Sequence, residues 1–135
     1  MAVLASWQED IVTADLAEIT GIDTPTGLLI GGQWSSGRAG TLAVINPATE
    51  DTITEVADAS PEDGLAAVDA AAAALPAWAA RPPRERGECL RRAFELMTQR
   101  SEQLARLMVL ENGKALRDAR GEILYAAEFF RWYSE

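Results

Sequence analysis

The chain has 135 residues, of which 48% are hydrophobic and 24% charged, a composition that is ordinary for a globular domain and argues against global disorder. Histidine is absent and there is one cysteine, so histidine-assisted nucleophiles, intramolecular disulfides and imidazole or multi-thiolate zinc sites are excluded within this chain. The formal net charge is −9, and an acidic chain repels phosphate backbones, so we expect no nucleic-acid partner. No apolar run approaches the ~18 residues of a membrane span and no secretory signal pattern is visible. We therefore expect a cytoplasmic protein with no membrane partner.

The first segment predicts a short amphipathic helix, because apolar residues repeat at helical spacing between acidic ones. Gly21 fits the end of this helix, and residues 23–27 have the composition of a linker. The apolar residues of the helix are Leu4, Trp7, Ile11, Val12, Leu16 and Ile19.

The next segment predicts a three-stranded antiparallel β-meander. Apolar runs alternate with Ser/Gly-rich or Asn-Pro turns, which is typical of consecutive hairpins. Such a meander has exposed edges, and exposed edges pair readily with other strands. The strands are expected at residues 28–34, 42–45 and 52–56, with turns at 35–40 and 46–50.

Three α-helices are predicted to follow, which makes the fold class α+β. The first begins with Ser60 as its N-cap and Pro61 at its first position, and Pro76 should stop or kink it. The second begins near residues 81–85 and ends at Asn112-Gly113 in a left-handed cap. The third runs from about Leu116 to the last residues.

The third helix carries four aromatic side chains within five residues, and these need a surface to pack against. One interpretation is that the helix folds back on the other two. We favour the alternative that the sequence stops early, before the segment that would cover them.

No reaction centre emerges from residue chemistry alone. Cys89 falls in mid-helix with no histidine to activate it, which favours a structural thiol. Gly31-Gly32 lacks the strand–loop–helix order of a phosphate loop, so hairpin glycines are the better interpretation. Glu111 and Asp118 lie seven residues apart across a helix break, which favours a solvated face over an acid/base pair.

Five ordered blocks nevertheless resemble the N-terminal part of the aldehyde dehydrogenase superfamily, and residues 121–132 are most similar to its succinate-semialdehyde dehydrogenase branch. The resemblance covers residues 28–135 and leaves residues 1–27 as a variable N-terminal leader. The blocks are Leu29-Ile30-Gly31-Gly32-Gln33-Trp34, Ile45-Asn46-Pro47-Ala48-Thr49-Glu50, Ala77-Trp78, the segment from Arg84-Glu85-Arg86 to Leu90-Arg91-Arg92, and Leu110-Glu111-Asn112-Gly113-Lys114.

The resemblance implies an oxidoreductase that converts an aldehyde, here succinate semialdehyde, to the acid with NAD or NADP, and that assembles as a homo-oligomer. In the family a cysteine thiolate attacks the carbonyl, and a glutamate activates water. Both groups, and the nucleotide-binding residues, are expected beyond this chain, and Cys89 does not match the nucleophile. We therefore expect no catalytic or cofactor-binding residue here, no bound cofactor and no turnover by this chain alone.

Two sets of site residues can be carried over from the family. A structural monovalent-cation site would use the backbone oxygens of Val44 and Ile45 and the carboxylate of Glu111, although the family often has aspartate at that last position. The third helix borders the substrate tunnel, which would place Tyr125 and Phe129 near the aldehyde, with ordinary helix packing as the alternative. The β-meander would match strands that the family uses partly in subunit association.

Two other hypotheses remain open at this point. The chain could be a non-catalytic interaction module that docks onto a dehydrogenase subunit through its aromatic helix and strand edges. It could also be an inert truncated product that exposes apolar surface.

Overall fold

The computed structural model describes residues 16–135. Most of the predicted leader helix therefore lies outside the described residues, but its last turn forms helix α1, Leu16–Thr20. Gly21 ends α1 as predicted, with a positive φ of 71° and its N–H donating to the Ala17 carbonyl at 2.7 Å. The Gln103 side chain donates to the Gly21 carbonyl at 3.1 Å and so joins this segment to the helical part of the fold.

The β-region forms two separate two-stranded antiparallel sheets, so the prediction of a three-stranded meander is wrong. Strands β1, Leu28–Ile30, and β2, Gln33–Ser35, form the first sheet. Strands β3, Thr41–Ile45, and β4, Thr52–Ala57, form the second. The reason is the Gly31-Gly32 pair, because both residues have positive φ and together make a two-residue turn. The chain therefore reverses inside the segment that was predicted as one strand.

Helix α2, Pro61–Ala80, begins at the predicted N-cap. The Ser60 hydroxyl accepts the Asp63 N–H and the Asp63 carboxylate accepts the Ser60 N–H, which is a capping box. The helix continues past Pro76, so of the two predicted outcomes, a stop or a kink, the stop does not occur. Helix α2 packs mainly against β1 in the described structure and leaves Leu65, Val68 and Leu75 exposed.

The predicted second helix is in fact two helices: α3, Pro83–Gln99, and α4, Ser101–Asn112. Arg100, with φ −102° and ψ 16°, separates them, and the apolar spacing alone did not reveal this break. The left-handed cap at Gly113 is confirmed, with φ 72°. Helix α5, Leu116–Ser134, follows the predicted third helix closely.

The hydrophobic core lies where α5 packs against α3 and α4. Ala105, Ala119 and Ile123 are buried at its centre, and a ring of partly buried side chains surrounds them. The surrounding residues are Leu104, Met108, Val109 and Leu116. In the described part of the chain, no helix combines the length and the apolar character that crossing a membrane requires.

Candidate functional site

Helix α5 has two faces of opposite character. The face toward α3 and α4 carries Ile123 and two alanines, and Ala119 and Ala127 are 0% and 1% exposed. The opposite face carries large aromatic side chains, and Tyr125 and Trp132 are 66% and 73% exposed. The alanines let the helices approach closely, while the exposed rings of Tyr125 and Trp132 lie on the other side of α5.

The aromatic face forms a groove of about 370 Å³. Tyr125 and Phe129, the two residues expected at the substrate tunnel, meet in it edge to face, with ring centroids 5.0 Å apart and planes at 85°. The groove is lined by Tyr125, Glu128, Phe129, Trp132 and Tyr133.

Glu128 is the only acidic residue lining this groove, and Arg131 neutralises it. The Arg131 guanidinium donates to a Glu128 carboxylate oxygen from Nε at 2.7 Å, and its Nη2 lies 2.6 Å from the same oxygen. The hydrogen bond with Glu128 raises the pKa of Arg131, so the guanidinium stays charged beside this carboxylate. The remaining lining is aromatic, which suits an uncharged alkyl group or another apolar surface.

Sequence reasoning singled out Tyr125 and Phe129 but missed Glu128, Trp132 and Tyr133 as members of the same groove. The signal was present in the spacing, because residues 125, 129 and 132 follow one another at four and three positions along a helix. The direction in which this stripe faces could not be read from the spacing.

The proposed cation ligands lie on two segments that the structure brings together. Val44 and Ile45 end β3, and Glu111 is near the end of α4. The following residues of these segments touch, since a Cβ on Gly113 would lie 2.9 Å from Cγ of Pro47. The turn after β3 is held by the buried Asn46, whose side-chain oxygen accepts the Ala48 N–H at 2.9 Å.

The donor atoms that these three residues could offer are two backbone carbonyl oxygens and one carboxylate. The β3–β4 register shifts between Val44 and Ile45, and a bulge releases nearby backbone carbonyls from regular pairing. Carbonyl and carboxylate oxygens are ligands for hard cations. Residues 16–135 contain no cluster of three or more acidic or cysteine side chains that could hold a metal ion. Any cation here would therefore depend mainly on backbone oxygens, with Glu111 as the one exposed carboxylate.

The other residues that the sequence singled out do not form a site. Cys89 is a free thiol exposed on α3. Glu111 and Asp118 are exposed on different helices, one on each side of the Gly113 cap, as the solvated-face interpretation required. Gly31-Gly32 forms a hairpin turn and leads into β2, which confirms the interpretation as hairpin glycines.

Comparison with known proteins gives consistent matches. The chain is 55% identical over 83 residues to a succinate-semialdehyde dehydrogenase of Paenarthrobacter nicotinovorans, covering 62% of this chain and 18% of the relative. It is 46% identical over 107 residues to a glutarate-semialdehyde dehydrogenase of Pseudomonas putida, covering 78% of this chain and 22% of the relative. The chain thus spans about a fifth of the length of these curated relatives.

A solved structure agrees with the sequence matches. The crystal structure of an Escherichia coli NADP-dependent enzyme superposes with a TM-score of 0.79 at 44% identity, over 81% of this chain and 23% of that one. Residues 34–135, most of the chain, match the aldehyde dehydrogenase family. The chain therefore belongs to the aldehyde dehydrogenase family and represents part of its fold.

Proposed function

We propose that this chain is the N-terminal part of an NAD(P)-dependent aldehyde dehydrogenase that oxidises succinate semialdehyde to succinate. The observation that carries the proposal is the 55% identity to a succinate-semialdehyde dehydrogenase. The 46% identity to a glutarate-semialdehyde dehydrogenase supports the same substrate class, a short aldehyde that ends in a carboxylate. The hydride acceptor is NAD or NADP, since similar proteins include an NADP-dependent dehydrogenase and a structure in complex with NAD.

The contribution of this chain to that reaction is a wall of the aldehyde tunnel. Tyr125 and Phe129 present an ordered edge-to-face pair to the groove, and aromatic surface excludes water from an alkyl chain. The groove offers no unpaired cation, because its lining is aromatic except for the Glu128 that Arg131 neutralises. This wall therefore holds the alkyl part of the aldehyde, and the carboxylate is bound elsewhere in the complete enzyme.

The second part of the proposal gives Val44, Ile45 and Glu111 a structural role. The carbonyl oxygens of Val44 and Ile45, with the Glu111 carboxylate, would hold a monovalent cation at the contact between the β3–β4 turn and the end of α4. The contact of Gly113 with Pro47 and the bulge in the β3–β4 ladder support this assignment. The cation would supply only charge neutralisation and rigidity at this junction.

The catalytic residues of the family lie outside this segment. We therefore expect the isolated 135-residue chain to show no reduction of NAD or NADP with succinate semialdehyde, and no binding of either nucleotide by calorimetry. Turnover by the purified chain would overturn this part of the proposal.

The substrate assignment is tested in an in-frame fusion of this chain to the complementary segment of the Escherichia coli enzyme. We expect the fusion to oxidise succinate semialdehyde with a higher kcat/KM than phenylacetaldehyde, and Tyr125→Ala to raise the KM several-fold. Tyr125→Phe keeps the ring and serves as the matched control. A KM unchanged in both variants would remove Tyr125 from the tunnel.

A second candidate is a non-catalytic module that docks onto a dehydrogenase subunit. The exposed aromatic face of α5 favours it, because exposed apolar patches of this kind mark interaction surfaces. The two candidates differ in one measurement. The module predicts a stoichiometric complex between the 135-residue chain and an intact dehydrogenase subunit, whereas the enzyme part binds only a subunit that lacks the corresponding segment.

A further inference from the structure

We propose that the bond between Asn112 and Gly113 is a site of spontaneous deamidation, and that the folded end of α4 holds this site closed. The reaction occurs when the end of α4 opens, and it converts the Asn112 side chain to a carboxylate, in part through an isoaspartyl linkage. This site is independent of the proposed function.

The reaction needs an asparagine whose side-chain amide can be reached by the next backbone nitrogen. The Gly113 nitrogen attacks Cγ of Asn112, the bond between these two atoms forms, and the Cγ–Nδ2 bond breaks. The Gly113 nitrogen loses its proton and Nδ2 leaves as ammonia, so the product is a five-membered cyclic imide. Water then opens one of the two imide carbonyls and gives aspartate or isoaspartate, with no oxidant or reductant involved. Glycine favours ring closure because it has no side chain to obstruct the approach.

The chain contains two asparagines, and they differ in their ability to react. Asn46 is followed by Pro47, whose nitrogen carries no proton to lose. Asn46 is also only 5% exposed, and its side-chain oxygen accepts the Ala48 N–H at 2.9 Å. Asn112 is exposed and is followed by glycine, and within residues 16–135 its side-chain amide has no hydrogen-bond partner. Asn112 is therefore the asparagine of this chain at which the imide can form.

The fold restrains the attacking nitrogen. Asn112 is the last residue of α4, and Gly113 ends the helix with φ 72°. The Gly113 N–H donates to the Val109 carbonyl at 2.9 Å, so the nitrogen that must lose its proton is held in the last hydrogen bond of the helix. Closing the five-membered ring also requires a ψ at Asn112 that the helical conformation does not have. The native end of α4 therefore opposes the reaction.

A second contact keeps the junction in place. A Cβ on Gly113 would lie 2.9 Å from Cγ and 3.6 Å from Cβ of Pro47, so the turn after β3 packs directly on the glycine. Gly113 can move toward the Asn112 side chain only if the end of α4 separates from this turn. Local openings of this kind require less free energy than global unfolding, so the bond reacts slowly in the native chain rather than not at all.

The modification destabilises the same junction. A carboxylate at residue 112 adds a negative charge beside Glu111 at the C-terminal end of a helix, where negative charge is unfavourable. Isoaspartate in addition lengthens the backbone by one carbon atom, which the close contact between Gly113 and Pro47 does not accommodate. Each product therefore favours the open end of α4.

The test measures deamidation of the 135-residue chain at neutral pH, once in buffer and once in enough urea to unfold it. Trypsin releases residues 107–114, a peptide in which Asn112 carries the only side-chain amide, and mass spectrometry measures its conversion. We expect conversion in urea and conversion at least about tenfold slower in buffer, because the end of α4 must open first. Residues 39–84, the tryptic peptide that contains Asn46, should show no conversion in either condition.

Asn112→Gln is the matched control, since its amide lies one carbon further from the backbone and would have to close a six-membered ring, which is far slower. This variant should show no conversion over the same period. Asn112→Asp reproduces the added charge without the longer backbone. Its urea midpoint should fall between those of the unmodified chain and of chain enriched in isoaspartate.

Equal rates in buffer and in urea, for a chain whose circular dichroism in buffer shows the helices, would overturn the proposal. The absence of conversion at Asn112 in urea would do the same, because the site would then not react even when it is open. Conversion at Asn46 would contradict the assignment to Asn112. A urea midpoint that does not change after conversion would contradict the destabilisation of the junction.

Discussion

At the residue scale, Asp63 in the first turn of α2 is the side chain that joins this helix to the β-region. Its carboxylate accepts the N–H of Arg38 at 2.9 Å and the N–H of Ser60 at 3.0 Å, and it lies 3.4 Å from Nε of Arg38. Only 5% of Asp63 is exposed, and these contacts give the buried carboxylate the polar partners that it needs. This carboxylate joins the loop between the two sheets to the first turn of α2.

The Asp63 carboxylate predicts a pH dependence of stability. The hydrogen bond from the Ser60 N–H is the main cause that lowers the pKa of Asp63 below its ordinary value of 3.8. A depressed native pKa stabilises the fold above the unfolded-state value, and this contribution disappears as the pH falls through the native value. We expect acidification below about pH 4 to lower the urea midpoint more in the unmodified chain than in Asp63→Asn.

Asp69→Asn, which removes an exposed carboxylate from the same helix, is the control for this experiment. Its urea midpoint should follow the unmodified chain across the same pH range. Parallel curves for the unmodified chain and Asp63→Asn would contradict the assignment.

Gly87 sets the distance between α3 and α5. A Cβ on Gly87 would lie 2.7 Å from the carbonyl oxygen of Ser134, whereas a Cβ on Gly121 would meet nothing within 4 Å. Gly87→Ala should therefore lower the free energy of unfolding by about 1–3 kcal/mol through overpacking. Gly121→Ala, also in a helix, should raise it by about 0.5–1 kcal/mol, because alanine favours the helix. Urea denaturation followed by circular dichroism measures both, and equal effects would exclude the close contact.

At the scale of elements, α2 differs from the other long helices because it depends on local rather than tertiary interactions. It has a capping box, a proline at its first position and many alanines, and nearly all of its side chains after Asp63 are exposed, whereas several side chains of α3 are half-buried. Alanine has the highest helix propensity, so such a segment can form with little tertiary support.

Pro76 is the weak point of α2. A proline inside a helix has no N–H to donate to the carbonyl four residues earlier, here that of Ala72. We expect Pro76→Ala to stabilise α2 by on the order of 1–3 kcal/mol and to raise its melting temperature, measured by circular dichroism. Pro61→Ala is the control, since the first helical position needs no such donor and this change should have little effect. If Pro76→Ala instead lowers the stability, the contacts of the proline ring stabilise the chain by more than the missing hydrogen bond costs.

The helices could be predicted closely because their start and stop signals are local. Ser60 as N-cap, Gly113 as the left-handed end and α5 from Leu116 all depend on residues within a turn of one another. The sheets were harder. Both a meander and two separate hairpins satisfy the same alternation of apolar runs, and the positive φ of Gly31 and Gly32 decides between them.

At the scale of the whole molecule, the family resemblance singled out Tyr125 and Phe129, but the sequence did not predict which way their side of α5 would face. Spacing places Tyr125, Phe129 and Trp132 on one stripe of α5. Whether that stripe faces the core or solvent depends on which side α3 and α4 occupy, and that is set by contacts far apart in sequence. The proposed cation ligands have the same property, because Val44 and Glu111 come from segments more than sixty residues apart.

The exposed rings predict the optical behaviour of the isolated chain. Trp132 is 73% exposed and Trp78 is 41% exposed. In variants that retain one tryptophan each, with the others replaced by phenylalanine, acrylamide should quench Trp132 more strongly than Trp78. The reverse order would mean that the aromatic face is covered in the isolated chain, by self-association or by refolding.

The bond between the Arg38 loop and Asp63 also offers a simple enzymatic probe. Arg38 is the only basic residue before Arg81, so trypsin has one cleavage position in the first eighty residues. That position lies in the loop whose backbone Asp63 holds. The rate at which trypsin cuts after Arg38 therefore reports how often the loop between the two sheets comes free of α2.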